Sequence, residues 1–279
     1  VSGIACCVLL LVVVTVRLPT PGWPVEGWVL AMCDVGQGDA LVLRSGPGEG
    51  VVVDVGPDPQ AVDGCLERLD IVRVPLVVIT HFHADHVDGL SGVLEGREVG
   101  AIETTHMLDP PGGVSSVRDV AGDATVVPRV APYAATRTIG DLTLQVLWPT
   151  AGSTSAGPGD GSAANDASVV LLAEVRGVRI LLTGDLEPPG QAALARALPG
   201  LQVDVLKVPH HGSRYQDLGF LCSLGAELAL VSVGADNDYG HPDSELLDQL
   251  TEAGAEVQRT DEDGDVLVVV DGGGLVAET

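Results

Sequence analysis

Thr80-His-Phe-His-Ala-Asp-His-Val-Asp-Gly89 is the stretch that decides the reading of this chain. Three histidines and two aspartates fall within eight residues, directly after the apolar run Val74 to Ile79. A helix would scatter residues two apart across its surface, whereas a loop leaving a buried strand can aim His81 and His83 at one point. Imidazole and carboxylate together suit Zn, Mn or Fe. His81, His83, Asp85 and His86 are therefore candidate ligands of a divalent-metal centre. Asp85 is also a candidate to accept a proton from an attacking water.

The rest of the composition is consistent with one large domain. The chain has 279 residues, 46% of them apolar and only 3% aromatic, so its core is built from Val, Leu, Ile and Ala. The five cysteines show no paired spacing, which predicts neither a disulfide framework nor a cysteine zinc knuckle. A formal net charge of −25 argues against a generic electrostatic grip on nucleic acid. It does not exclude a nuclease, because bound divalent ions bring their own positive charge to a phosphate.

The N-terminus reads differently. Ile4 to Val16 is almost without polarity, and residues 1–18 are expected to be the remnant of a transmembrane helix, with a buried element or an atypical signal segment as alternatives. Residues 19–27, with three prolines, read as a stiff linker, and 28–279 as the folded domain. The placement that follows is the cell membrane with the domain on its outer face, although Arg17 favours the cytoplasmic side.

Within the domain, strands repeatedly end in Asp or His beside glycine. Val51 to Val55 leads into Asp54-Val-Gly, Val74 to Ile79 into the histidine loop, and Val178 to Thr183 into Gly184-Asp185. Val203 to Val208 leads into Pro209-His210-His211-Gly212-Ser213. Helices are expected at Ala61 to Leu69, Val87 to Leu94, Ser115 to Ala121, Gln191 to Leu198 and Asp243 to Glu252. Hairpins are expected around Gly140-Asp141 and Arg176-Gly177, and Thr125 to Val130 looks extended. Pro149 to Ala164 is a long patternless loop, read as disordered or as a flap. This grammar predicts an α/β fold with two sheets sandwiched by helices and the chemistry gathered at one edge.

Further candidates follow from placement. Asp185, just past a buried strand, is expensive to place unless something binds it, and its carboxylate could bridge two cations. His210 and His211 are adjacent and point in different directions, so one could ligate while the other contacts substrate. His241, before a proline in a glycine-flanked loop, is a ligand, a substrate contact or a turn residue. Asp54 is placed to orient a ligand histidine from behind. His106 has no supporting context and reads as structural or surface.

The histidine stretch resembles the signature of the metallo-beta-lactamase fold, a four-layer αββα sandwich. Asp34-Val-Gly-Gln-Gly-Asp-Ala40, Asn165-Asp-Ala-Ser168, Leu182-Thr-Gly-Asp185, Val208-Pro-His-His-Gly-Ser213 and Tyr239-Gly-His-Pro242 are similar to the C-terminal domain of the ComEC/Rec2 DNA-uptake competence proteins. That resemblance implies two divalent ions, Mn or Zn, held by His81, His83, Asp85, His86 and Asp185, with His210 or His211 completing the set and Asp54 in support. It leaves Asp85, His211 and His241 for catalysis. It implies a phosphodiesterase or nuclease acting on single-stranded DNA during uptake, partnered by a channel in the membrane. The superfamily has a further ligand histidine where this chain offers Asn165, Asp166 and Ser168, so the second ion is expected to be weakly held. The alternatives are a hydrolase of a small ester, lactone or nucleotide, and a non-catalytic competence-assembly domain.

Overall fold

Two sheets lie face to face between two layers of helices, and the apolar side chains sort into three clusters accordingly. The computed structural model describes residues 22–150 and 163–279. In order across the first sheet lie Gly274–Glu278, Val266–Asp271, Trp28–Met32 and Leu41–Gly46. Glu49–Val53, Val77–Ile79, Ile102–Thr104 and Arg129–Val130 continue it, with short strands at Arg73–Val74 and Glu98–Val99 beside them. The second sheet runs Glu256–Arg259, Leu228–Val231, Val205–Lys207, Val178–Leu182, Val170–Val175, Leu142–Trp148, Thr136–Ile139.

Strand periodicity explains the sorting. Val51 and Val53 face the inter-sheet core while Val52, between them, faces the helices Pro59–Arg68, Leu90–Leu94 and Pro111–Asp123. In the second sheet Ile180 and Leu182 point inward. Leu181 packs outward with Leu194, Phe220, Leu246 and Leu250 of the opposite helix layer. Strands covered on both faces read as nearly continuous apolar runs, which is why they stand out in the sequence. Helix starts follow their caps: Asp58 accepts from Gln60 N ahead of Pro59, and Asp243 accepts from Leu246 N.

Several expectations need correction. The helix behind the histidine stretch is two short ones, Ala84–Val87 and Leu90–Leu94. A Cβ on the intervening Gly89 would lie 1.9 Å from the Val55 carbonyl oxygen, so the backbones pass too closely for a continuous side-chain-bearing helix. Only Arg129–Val130 of the extended segment joins a sheet. The strands Glu256–Arg259 and Gly274–Glu278 and the helix Leu218–Ser223 lacked a legible apolar pattern. The looked-for absence of disulfides is also wrong: Cys33 and Cys65 are bonded, tying the end of a central strand to the helix Pro59–Arg68.

The membrane placement is corrected as well. Among the described residues no helix is long and apolar enough to cross a membrane. The longest, Pro111–Asp123, has 13 residues and extends about 20 Å at 1.5 Å per residue. A hydrocarbon core is about 30 Å thick. The proposed transmembrane remnant at 1–18 and most of the patternless 149–164 loop fall outside the described residues.

The Cys33–Cys65 bond closes a loop between residues 32 apart, and chain entropy alone makes it worth about 2–4 kcal/mol. Urea unfolding with and without reductant should show the reduced protein less stable by that amount, with its far-ultraviolet circular dichroism unchanged in the native baseline.

Candidate metal centre

Parallel pairing brings the chemistry to one edge. Glu49–Val53 runs parallel to Val77–Ile79 in one sheet, and Val178–Leu182, Val205–Lys207 and Leu228–Val231 run parallel in the other. Their carboxyl ends deliver Asp54, the histidine stretch, Asp185, the His210–His211 pair and Ser232 to a common region. Close approach of the two sheets here demands glycine. Gly184 has φ +52°, and a Cβ on it would sit 2.8 Å from Thr80 Oγ1.

One atom is the meeting point. Asp185 Oδ2 lies 3.4 Å from His86 Nε2, 3.5 Å from His211 Nε2, 3.7 Å from His210 Nε2 and 3.9 Å from His81 Nε2. On one side His81 Nε2 faces His83 Nδ1 at 3.0 Å. On the other, Asp85 Oδ2 lies 3.3 Å from His211 Nε2 and 3.8 Å from His86 Nε2. Two donor groups thus flank the carboxylate, His81–His86–Asp185 and Asp85–His86–His211, each with its atoms close enough to share a cation.

Behind these donors stands Asp54, buried and in the left-handed region at φ 56°. It accepts from Thr80 N and Thr80 Oγ1 at 2.7 Å each, and faces His86 Nδ1 at 2.8 Å. His211 Nδ1 is anchored in the same way by the Ser232 carbonyl at 2.9 Å. Such bonds fix the tautomer and turn the other ring nitrogen inward.

The structure adds residues that the sequence reading passed over. Asp39, fully buried at the end of the Gly36-Gln-Gly38 turn, lies 3.3 Å from His211 Nδ1 and 3.8 Å from His86 Nδ1. Its partner is Lys207, the single lysine of the chain, which is also fully buried. Lys207 Nζ donates to the Gly184 carbonyl and lies 4.0 Å from Asp185 Oδ1. A lysine inside the apolar run Val203 to Val208 was the available signal. Glu187, also buried, faces His210 Nδ1 at 3.4 Å.

Other candidates are less central. Asp166 Oδ1 accepts from Gly190 N, so it is turned toward the helix Pro188–Ala197. Ser168 does face the site: its Oγ accepts from Asp185 N at 3.1 Å and lies 3.4 Å from His81 Nδ1. His241 sits at the rim, its ring 5.6 Å from that of His210 and stacked against the exposed Tyr239. His106 is exposed.

Electrostatics divide the histidines. Burial holds His81 well below the usual imidazole range and lowers His83 as well. Burial works the same way on His86, but Asp185, Asp85 and Asp54 overcome it and hold its pKa well above the ordinary value. Against burial, Asp185 and Asp39 push His211 up to about 10. Burial would raise Asp85, yet His86 and His211 keep it below the usual carboxylate range.

The residues fit divalent ions. His86 Nε2, His211 Nε2 and Asp185 Oδ1 are buried without hydrogen-bond partners, and each such group costs about 1–3 kcal/mol if nothing binds it. A donor set of imidazoles and carboxylates is the chemistry that zinc or manganese takes.

Fold and site together define a metal-dependent hydrolase of the αββα type. The family model of the metallo-beta-lactamase superfamily matches residues 33–221, more than half of the chain, and the chain belongs to that superfamily. Among curated proteins, it is 28% identical over 290 residues to ComE operon protein 3 of Bacillus subtilis, covering 95% of this chain and 35% of that one. It is 28% identical over 251 residues to competence protein ComA of Neisseria gonorrhoeae, covering 88% and 33%. The chain thus spans about a third of the length of these relatives. Among solved structures it resembles Tm1679, described as a metal-dependent hydrolase of the beta-lactamase superfamily, with a TM-score of 0.53 at 13% identity. That match covers 82% of this chain and 95% of the other, and carries the fold alone.

Two outcomes are expected. Metal binding to the Asp85–His86–His211 group must displace protons, because the neighbouring carboxylates hold His86 well above the ordinary imidazole value and His211 at about 10, while ligation needs neutral imidazole. Zinc titration calorimetry near pH 7 in buffers of different ionisation enthalpy should show proton release, with affinity falling toward pH 6. A buffer-independent enthalpy would contradict this. Separately, Lys207→Met should cost about 3–5 kcal/mol by stranding the buried Asp39, and adding Asp39→Asn should recover part of it. Thermal unfolding of the single and double variants measures both.

Proposed function

We propose that this chain is a metal-dependent hydrolase of a compact substrate: a small ester, a lactone or a nucleotide. The charge of the site carries this reading. Its one buried ammonium, Lys207, is already paired with Asp39, and the whole chain carries 39 acidic against 14 basic side chains. A long polyanion held along its backbone calls for a row of Lys and Arg. A compact substrate needs only local positive charge at the reacting bond and surface to rest against. Tyr215 and Tyr239 supply such surface, being exposed beside the His210–His211 and His241 segments.

Divalent ions, zinc or manganese, would supply Lewis acidity and a water of lowered pKa when bound between the two donor groups. His81, His83, Asp85, His86, Asp185, His210 and His211 serve as metal donors in this reading, with Asp54 holding His86. Asp85 stays ionised because His86 and His211 outweigh its burial, so its carboxylate can take the proton of the attacking water at Oδ2. His211 Nε2 lies 3.3 Å from that oxygen. His241, at the rim, meets the part of the substrate that departs.

A second reading, cleavage of single-stranded DNA in association with an uptake channel, is favoured by one specific observation. The similarity to two competence proteins extends over 95% and 88% of this chain. In that case the ions would have to provide the grip on phosphate that the protein surface withholds.

One panel separates the readings. Zinc- and manganese-loaded protein is assayed on nitrophenyl esters, lactones, bis(4-nitrophenyl) phosphate, nucleotides and labelled single-stranded DNA. Turnover of a small substrate that falls to background in His83→Ala is expected. Faster turnover of DNA than of every small substrate would transfer the conclusion to the second reading, and inertness toward all of them would remove both.

A further inference from the structure

His86 is common to both donor groups, and with His86 serving the Asp85 side the group around His81 is one ligand short. His81 Nε2 and His83 Nδ1 face each other at 3.0 Å, and Asp185 Oδ2 lies 3.9 Å from His81 Nε2. Three donors leave a zinc-like ion wanting a fourth, from protein or from water. We propose that His210, oriented by Glu187, is that fourth donor, so that the adjacent His210 and His211 serve different ions on opposite sides of Asp185.

The backbone is shaped for this division. His210 and His211 have φ of 49° and 51°, consecutive left-handed residues that are not glycine. L side chains rarely adopt this conformation, and such outliers persist where the surroundings insist on them. The result is that neighbouring rings diverge, with centroids 6.0 Å apart and planes at 73°. Both nonetheless return an Nε2 to Asp185 Oδ2, at 3.7 Å from His210 and 3.5 Å from His211.

Each ring also has an oxygen behind it, hydrogen-bonded for His211 and more distant for His210. His211 Nδ1 is bound by the Ser232 carbonyl, leaving Nε2 for the Asp85 side. His210 Nδ1 faces Glu187 Oε1 at 3.4 Å, leaving Nε2 for Asp185, and His210 is close enough to His83 to act on its charge. Glu187 occupies the N-cap position of the helix Pro188–Ala197, yet its side chain makes no capping bond there. It turns instead into the interior, where Asn165 Nδ2 donates to Oε1 at 3.3 Å. A carboxylate diverted from its helix and buried behind a histidine is the usual backing of a metal-ligating imidazole. Glu187 is on this view a positioning residue.

The inference rests on the metal-dependent reading above, and the test keeps the two apart. The full chain, His210→Ala, Glu187→Gln and His211→Ala are loaded with zinc, and bound metal is counted by mass spectrometry across a chelator series. Cobalt loading adds the visible spectrum of each site. The wild type should hold two ions. His210→Ala and Glu187→Gln should each weaken one of them about 10–100-fold and alter one cobalt spectrum, while His211→Ala affects the other. Glu187→Gln keeps the shape of the side chain, so it reports even if His210→Ala does not fold. Two ions held at unchanged affinity in both variants, or a single wild-type ion that neither disturbs, would overturn the assignment and leave the metal centre standing. Equal loss of both ions would also overturn it. A wild type that binds no zinc or cobalt would remove the metal-dependent reading itself, and this proposal with it.

Discussion

Buried negative charge is the constraint on which this structure depends. Asp39, Asp54 and Asp185 are all sealed from solvent, and all lie within 4 Å of a nitrogen of His86. Ionised carboxylates in such a place cost several kcal/mol each unless they are paired. The chain meets this in three ways. Lys207 neutralises Asp39, Thr80 and His86 bond to Asp54, and four imidazoles surround Asp185. The carboxylates then raise the pKa of His86 and His211 against the effect of burial. The site is thereby a place where protons and divalent ions compete for the same nitrogens.

That constraint explains the economy of the scaffold. Two sheets covered by helices on their outer faces leave one edge where parallel strands release their carboxyl ends, and the ionisable groups are confined to it. The glycine at 184 lets the two sheets approach closely enough to share a ligand cluster, and the glycine at 89 lets the turn after the histidines pass against Val55. Lys207 illustrates the precision required. In a chain that otherwise uses arginine for every permanent cation, its single lysine is wholly buried, 4.0 Å from Asp185 Oδ1. A compact ammonium fits there, whereas a planar guanidinium brings a larger, fixed fork of donors.

Membership of the superfamily settles the type of chemistry more firmly than the substrate. The two curated relatives that this chain resembles are about three times its length, and similarity at 28% identity leaves room for a changed substrate on a common frame. The surface charge points toward a compact molecule, and the extent of the match toward DNA. The rim of the site carries His241 with Tyr239 stacked on it, so it offers flat faces to either.

Much of this was legible along the chain. The histidine stretch, the Asp185 turn and the His210–His211 pair announce themselves because ligand chemistry concentrates rare residue types just past apolar runs. The sandwich follows from those runs, because strands buried on both faces must be apolar at nearly every position. The edge strand Glu256–Arg259, polar at three of its four positions, carried no such mark. The Cys33–Cys65 bond was invisible for another reason: it joins a strand end to a helix, and no local spacing encodes that approach. Which histidine faces which aspartate was likewise beyond the sequence. Residue type and local pattern determined that carboxylates and imidazoles would meet at a strand edge, because burying them separately is too costly. Only the packing of two sheets decided that Asp39 meets Lys207, that Glu187 turns to His210, and that Asp185 stands between two donor groups. Those pairings join residues from distant parts of the chain, and distance in space is set by tertiary packing.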